Sequence, residues 1–416
     1  MPISIDARLK VRLIELLADQ LRHSFVWYDS YIFDAGGLNP GEMEASFPDK
    51  GKLADELRLF IGDDAFTTFV QGELNRHFNG GGYNRDADIK PLTSYPGYED
   101  TVGLATALVE SFCSLPWKYQ VCMRLPEGFG DLLKMHPDGF ELSDRHRILL
   151  GSALTNPYPS HPNRLLDLAS GKPLPGDWDD AGAYLVVDVE GYFRVLRTEP
   201  VVSARDDIFS FIGLALAFGL FGSGRAGELG APRRSHQLII YRLSHEDMDG
   251  QGFVALDEHL QSGIRNLSVL ADPAEDGMHL AYALERIGSV FRSANGKSLR
   301  LSARWLFDSH CGRDELLSYV QATVAIEILL GDEDADPDVG LTTLMANRCA
   351  YLVATTAKAR AHILRAFRDI YKVRSKIVHR GKSRLNSKEV MLFNYLTALV
   401  RSVIDKEQRL LERGER

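Results

Sequence analysis

Cysteine is scarce in this sequence. The four residues Cys113, Cys122, Cys311 and Cys349 are spread over the chain, and no two of them form a Cys-x-x-Cys pair. Structural zinc sites usually contain such pairs, and small secreted domains carry many more cysteines to form disulfides. The sequence therefore predicts no zinc site and a protein of a reducing compartment, the cytoplasm.

Long hydrophobic runs are lacking as well. The one membrane-like stretch, residues 208–221, has fourteen residues and is interrupted by Ser210, Gly213 and Gly219. A helix needs about 20 apolar residues to cross a bilayer, so this stretch predicts a buried core helix. The N terminus, MPISID, lacks the basic start and apolar segment of a signal peptide. We expect no contact with a membrane.

Patterns typical of metal and cofactor sites are missing too. None of the twelve histidines lies in an H-E-x-x-H motif or a Cys/His cluster, so no ligand set for a catalytic metal is visible. Residues 222–227 spell G-x-G-x-x-G. They follow a helical apolar run and precede Gly230 and Pro232, whereas a dinucleotide site needs a strand before the glycines and a helix after them. A loop is the better interpretation, and we expect no metal and no cofactor.

The hydrophobic periodicity of residues 1–297 predicts an α+β portion with an antiparallel sheet. Apolar residues at every odd position of 117–125 indicate a half-buried strand. The remaining elements are expected as helices at 5–31, twice between 50 and 78, and at 98–114, a hairpin of 183–189 with 192–198, and a strand at 237–243. A loop near 79–98, rich in Gly and Pro, is a possible internal boundary.

The C-terminal residues, 298–416, are expected to form a separate all-helical domain. A helix at 279–294 leads into it. The period of about 3.6 residues in its apolar positions predicts a bundle. The expected helices are 299–311, 313–330, 339–356, 358–379 and 387–412. The predicted fold class is therefore α+β, with a mixed N-terminal portion followed by a helical bundle.

Charge is distributed unevenly along the chain. The net charge is -9, but residues 300–416 carry 20 Lys and Arg against 15 Asp and Glu, while the preceding residues carry 28 against 42. Residues 358–388 contain eleven Lys or Arg and a single acid, Asp369. So dense a positive charge predicts a polyanionic partner such as RNA.

The basic segment contains an arginine in an unexpected place. Ile363, Phe367, Ile370 and Ile377 form an apolar helical stripe, and Arg374 occupies the position where the next apolar residue should fall. A buried arginine is costly unless it meets an anion. His379 follows five residues later, before a glycine that predicts the helix end. Five residues are about 140° of helix, so the two side chains converge only if the last turn frays.

Three ordered blocks resemble the Apea-like branch of the HEPN ribonuclease superfamily. They are residues 326–330 (IEILL), 348–352 (RCAYL) and 370–379 (IYKVRSKIVH), which are similar to its LE-x-LL, R-x-A-x-L and Y-x-x-R-x4-H helices. The resemblance covers residues 299–416. It implies a helical HEPN domain and a metal-independent endoribonuclease, associated with antiphage defence, that damages cellular RNA, with tRNA as a candidate substrate.

The resemblance also implies site residues. Arg374 and His379 would be catalytic, because RNA cleavage needs a cation for the phosphorane and groups that move protons. Tyr371, Ser375 and His379 share one i, i+4 row, so either of the first two could hydrogen-bond the histidine. Glu327 would orient Arg374 or form a structural ion pair with Arg374 or Arg348. The side chains expected to bind RNA are Lys372, Lys376, Arg380, Lys382 and Arg384.

One copy of the motif lacks a second acid or base, so the resemblance implies a dimer in which two motifs face one cleft. The apolar stripe Leu392, Leu396, Leu399, Val403 and Leu410 would suit either a partner helix or the chain's own bundle. We expect a homodimer or higher homo-oligomer through the C-terminal helices.

Two further expectations concern control and an alternative function. The acidic residues 1–297 are expected to restrain the nuclease until a phage component or small-molecule trigger binds them. The alternative is a non-catalytic HEPN module that binds RNA, a nucleotide or a protein. Ser375 favours that alternative, because related active motifs commonly carry Asn, Asp or His at this position.

Overall fold

The structure is a computed structural model that describes residues 2–29, 31–33, 40–78, 84–155, 161–166, 173–176, 178–194, 198–223, 236–243, 252–270, 277–331 and 340–414. The acidic loop 332–337 and residues 224–227 of the glycine motif lie outside these ranges. The beginning of that motif is a strand, Phe221–Ser223, rather than a continuation of the apolar helix. The expectation of a loop directly after a helix was therefore wrong at this point.

The first predicted helix is shorter than expected. Helix α1, Ala7–Arg22, begins where the Asp6 carboxylate accepts hydrogen bonds from the N–H groups of Arg8 and Leu9. The chain then forms strand β1, Phe25–Trp27, and strand β2, Tyr31–Phe33, which pair antiparallel. Tyr28 and Asp29, with φ of 56° and 51°, adopt the left-handed conformation that closes a tight turn here. The helix therefore ends at Arg22, and residues 25–33 form this strand pair where the helix had been expected to continue.

Four helices and a short strand complete the N-terminal layer. They are α2, Pro40–Glu44, α3, Lys52–Phe60, α4, Ala65–His77, β3, Lys90–Pro91, and α5, Thr101–Cys113. Helices α3, α4 and α5 confirm the helices predicted between residues 50 and 114. Their apolar faces pack in one core through aromatic contacts, such as the edge-to-face pair of Phe66 and Phe112 with ring centroids 5.0 Å apart.

A six-stranded antiparallel sheet forms the centre of the N-terminal portion. Its strands are, in chain order, β4, Trp117–Arg124, β5, Phe140–Ser143, β6, His146–Leu150, β9, Ala183–Gly191, β11, Gln237–Arg242, and β12, Gly252–Ala255. The order across the sheet is β12, β11, β4, β9, β6, β5. Strands β4 and β11 confirm the strands predicted at 117–125 and 237–243.

The predicted hairpin of 183–189 with 192–198 was wrong. Strand β9 runs through the expected turn to Gly191 and pairs with β4 and β6 instead. Beyond it, Tyr192 and Phe193 leave the sheet and are buried in the core. Gly191 permits this exit because its φ is 144° and a Cβ there would lie 2.3 Å from the Phe60 carbonyl oxygen.

Smaller elements surround the sheet. They are α6, Phe129–Leu133, α7, Gly151–Thr155, the pair β7, His161–Leu166, with β8, Pro173–Gly176, helix α9, Glu258–Arg265, and the pair β10, Phe221–Ser223, with β13, Leu267–Val269. The sheet and these elements confirm the antiparallel α+β class of the N-terminal portion.

Long helices connect the sheet to the C-terminal bundle. Helix α8, Glu199–Ala217, contains residues 208–217 of the apolar stretch and is buried over most of its length, as predicted, but it ends before residue 221. The others are α10, Gly277–Arg292, α11, Lys297–His310, α12, Glu315–Leu330, α13, Leu341–Val353, α14, Ala357–Arg380, and α15, Ser387–Glu412. The five helices predicted after residue 298 correspond to α11 through α15. Within the described ranges, no helix is both long and apolar enough to cross a bilayer.

The two portions share one core, so the boundary predicted at residue 298 is not a gap in packing. Helix α8 lies so close to α11 that a Cβ on Gly213 would stand 1.9 Å from the Ala303 carbonyl oxygen. Arg286 of α10 is 5% exposed, and its guanidinium reaches Gln408 Oε1 at 2.7 Å and Asp405 Oδ1 at 2.8 Å on α15. A shift in the position of α8 or α10 would therefore directly alter their contacts with the C-terminal helices.

Candidate functional site

Helix α14 carries the R-x4-H motif and has well-defined ends. The Thr356 hydroxyl accepts a hydrogen bond from the Ala359 N–H at its start. At its end, Gly381 adopts φ of 61° and its N–H donates to the Lys376 carbonyl, as the glycine had predicted. The predicted apolar stripe is buried at Ile363, Phe367 and Ile370. The helix is regular through Arg380, so His379 does not lie in a frayed turn.

Arg374 and His379 consequently lie on different sides of α14. At roughly 100° per residue, they are separated by about 140° around the helix axis. Arg374 is on the side of the apolar stripe and is half-buried, whereas His379 is exposed. The exposed side of the helix also carries Lys358, Arg365, Arg368, Lys372 and Lys376. A single chain thus presents the histidine with the basic face and directs the arginine into the bundle.

Arg374 meets an anion there. Its Nε lies 3.9 Å from Glu327 Oε1 on α12, and both side chains are about one-third exposed. The pair satisfies the predicted need of this arginine for a negative partner. Arg374 Nε itself makes no hydrogen bond among the described residues, because 3.9 Å is beyond hydrogen-bond length. The contact through Nε is therefore an ion pair without a hydrogen bond.

Tyr371 completes this polar group. Its hydroxyl donates to Met345 Sδ on α13 at 3.8 Å. Burial and then the neighbouring Glu327 carboxylate raise the pKa of Tyr371, so the phenol stays protonated. The described residues include no hydrogen bond from Tyr371 or Ser375 to His379, so the hydrogen bond predicted along their row is not formed in a single chain.

Arg348 has a mainly structural place. Its Nη1 donates to the carbonyl oxygens of Leu330 at 3.1 Å and Gly331 at 3.2 Å. These carbonyls belong to the end of α12, where backbone acceptors lack partners within the helix. Arg348 therefore fixes the end of the helix that carries Glu327.

The side chains predicted to bind RNA divide into two groups. Lys372 pairs with Asp369 at 3.1 Å, and Lys382 pairs with the buried Glu389 at 2.9 Å. The others, Lys376, Arg380 and Arg384, are exposed near the end of α14. The Glu389 side chain also accepts from the Asn386 N–H in the capping box that begins α15. Lys382 is thus committed to the turn between the helices rather than free for a ligand.

The apolar stripe of α15 is buried within the chain. Leu396, Leu399 and Val403 are at most 4% exposed and pack in the common core. Of the two partners that the sequence allowed for this stripe, a helix of another chain or the chain's own bundle, the structure shows the second. A homodimer therefore needs another surface of the C-terminal helices.

Sequence reasoning missed one polar constellation. Ser143 Oγ lies 2.7 Å from His146 Nδ1, and Asp207 Oδ2 lies 3.0 Å from His146 Nε2. The order resembles a nucleophile, base and acid. His146 is only 3% exposed, however, and its ring is covered by that of Phe291 at 4.4 Å. A substrate could not reach it, so the group links β6 to α8 and α10, and no local spacing signals such a link.

Comparisons of the chain with known proteins leave its family open. No protein-family model, curated protein or solved structure matches it. Among the described residues, no group of three or more His, Cys, Asp or Glu side chains could hold a metal ion. The residues of the candidate site are Arg374, His379, Glu327 and Tyr371.

Proposed function

We propose that this protein is a metal-independent endoribonuclease of the HEPN type that works as a homodimer in the cytoplasm. Its substrate is cellular RNA, with tRNA as a candidate, and its role is antiphage defence. The observation that carries the proposal is the position of His379 at the end of an exposed basic helix face, with Arg374 on the other side of the same helix in an ion pair with Glu327. RNA phosphates would lie along the basic face and bring the 2′-hydroxyl to the histidine.

The chemistry needs groups at three atoms. One group takes the proton of the 2′-hydroxyl as its oxygen attacks the phosphorus. A cation stabilises the phosphorane, and a second group gives a proton to the leaving 5′-oxygen. A histidine can accept or release protons near neutral pH, and an arginine contacts phosphate through two donors. Two copies of the chain would supply two histidines, one to accept and one to donate.

Arg374→Ala and His379→Ala in the full chain test the assignment. Each is expected to reduce cleavage of total RNA by about 100- to 1,000-fold or more. Lys134→Ala is the control, because it also removes an exposed lysine that pairs with a surface acid three residues earlier, Asp131, but lies outside the basic face. If either site variant cleaves at the wild-type rate while folded, the proposal fails.

A non-catalytic HEPN module that binds RNA, a nucleotide or a protein is the second candidate. It is favoured by the Arg374–Glu327 ion pair, which also serves as a plain link between helices, and by Ser375. The same experiment separates the two, because the module would bind RNA without cutting it in every variant and in the wild type.

The N-terminal portion is proposed to restrain the nuclease. It shares a core with the bundle through α8 and α10, and its sequence is acidic. A trigger that binds this portion more tightly in a released state would shift the balance toward activity, since only differential affinity moves such an equilibrium. A phage component or a small molecule could serve as the trigger.

A further inference from the structure

An exposed tyrosine lies near the opposite end of α14 from His379. Tyr351 of α13 is 68% exposed, although large apolar side chains are normally buried. The guanidinium of Arg360 stands over its ring, 4.7 Å from the centroid. The Arg360 Nε also donates to the Ala354 carbonyl oxygen at 3.2 Å, where α13 ends. The two planar groups are therefore held together at the surface, with much of the aromatic ring open.

This pair lies on the same side of α14 as Arg374. The fourteen residues between Arg360 and Arg374 correspond to about 21 Å along the axis and only about 40° around it. The basic residues of the exposed face lie elsewhere, since Arg365 and Lys372 are about 120° to 140° from Arg360 around the axis. Both arginines thus lie on the side of α14 that contacts α12 and α13. Between the two arginines this side is packed against α13, so the exposed ring of Tyr351 is the surface that a ligand can reach here, about 21 Å along the axis from Arg374.

We propose that Tyr351 and Arg360 form a stacking subsite for an unpaired base of single-stranded RNA. The proposal rests on the ribonuclease function proposed above. Unpaired bases stack on aromatic rings and on arginine planes, and the guanidinium adds attraction for a nearby phosphate. Bases inside a duplex are already stacked and cannot use such a site. The subsite therefore selects single-stranded segments and sets where the strand lies relative to Arg374.

Binding of labelled RNA to the full chain tests this subsite. His379→Ala serves as the background so that the RNA stays intact, and fluorescence anisotropy measures affinity. Adding Tyr351→Ala is expected to weaken binding of a single-stranded RNA by about 5- to 30-fold, from the worth of one stacked base. Tyr351→Phe keeps the ring and should bind as the background does. Tyr282→Ala removes another exposed tyrosine, on α10, and should change nothing.

Two further ligands separate stacking from other effects. An abasic strand keeps the phosphates but has no bases, so Tyr351→Ala should not weaken its binding. An RNA duplex should be equally insensitive. Equal losses on the single-stranded and abasic ligands, or no loss on either, would overturn the subsite. If the background protein binds no RNA at all, both the ribonuclease proposal and the subsite fail. If it binds RNA tightly and Tyr351→Ala does not change the affinity, only the subsite fails.

Discussion

Arg374 Nε and Glu327 Oε1 lie 3.9 Å apart, so the helix that carries the R-x4-H motif is tied to α12 through its arginine. His379 is about 140° away around the same helix. The arginine and histidine of one chain therefore do not face one point. In the proposed homodimer, an arginine of one chain would meet a histidine of the other.

Mixing wild-type chains with inactive chains tests this shared cleft. If each cleft uses both histidines, a mixed dimer of wild type and His379→Ala is inactive. An equal mixture, unfolded and refolded together, should then keep about a quarter of the wild-type rate, against about half if each chain works alone. Wild type mixed with Lys134→Ala is the control and should keep its full rate. A wild-type protein that is monomeric by light scattering and still cleaves RNA would exclude the shared site.

Glu327→Gln tests whether Glu327 orients Arg374 for cleavage or only stabilises the fold. The Glu327–Arg374 pair is partly solvated, so its loss should lower the free energy of unfolding by only about 1 kcal/mol or less. Cleavage should fall because the guanidinium loses the carboxylate that orients it. Urea unfolding and initial cleavage rates measure the two effects. A large loss of stability with unchanged activity in the remaining folded protein would mark the pair as structural.

Chelation should leave cleavage unchanged. The proposed reaction uses protein side chains only, so EDTA is expected to have no effect on the rate. The product should carry a 2′,3′-cyclic phosphate or its hydrolysis product, because the 2′-hydroxyl is the nucleophile. End-group analysis of cleaved RNA checks this. A chelator-sensitive reaction that leaves 5′-phosphates would point to a metal site instead.

Arg286→Ala tests the link between the two portions. Removal of this buried arginine leaves Gln408 Oε1 without its donor and Asp405 with Arg409 as its remaining ion-pair partner, and should cost about 3 kcal/mol. Arg409→Ala is the control, since it removes an exposed partner of the same Asp405. If the N-terminal portion restrains the nuclease, Arg286→Ala should cleave faster than the control at a temperature where both are folded. Equal rates there would argue against restraint through this contact.

The N-terminal portion should lose stability at acidic pH because His236 must then bind a proton. Burial lowers the pKa of this histidine from 6.5 to about 4, and its Nδ1 donates to the Arg124 carbonyl oxygen at 3.2 Å. Between pH 6.5 and about 4 the unfolded chain binds a proton that the folded chain does not. The free energy of unfolding therefore falls as the pH falls through this window, by at most about 1.4 kcal/mol per pH unit.

His236→Asn should flatten that pH dependence, because asparagine keeps a donor for the carbonyl but does not titrate. Urea unfolding at several pH values between about 4 and 7 measures it. His279→Asn changes an exposed histidine and should leave the slope as it is in the wild type. An unchanged slope in His236→Asn would assign the acid sensitivity to other groups, such as His310, whose pKa burial also lowers.

Much of the secondary structure follows from the sequence alone. The apolar period of about 3.6 residues predicted helices α11 to α15, and the alternation at 117–125 predicted strand β4. Gly381 predicted the end of α14. These features depend on neighbours within a few residues, so the local pattern contains the information. Arg374, as a charge in an apolar stripe, was also recognisable, and so was its need for an anion.

Other features were decided only by the tertiary structure. The strand partners of β9 are residues from distant parts of the chain, and no local pattern distinguishes them from the hairpin that was expected. The division of α14 into a side with Arg374 and a side with His379 became visible once the helix proved regular. Which anion meets Arg374, and that one core joins both portions, depend on packing between remote segments. Such contacts are set by the three-dimensional arrangement of whole helices, which neither composition nor spacing determines.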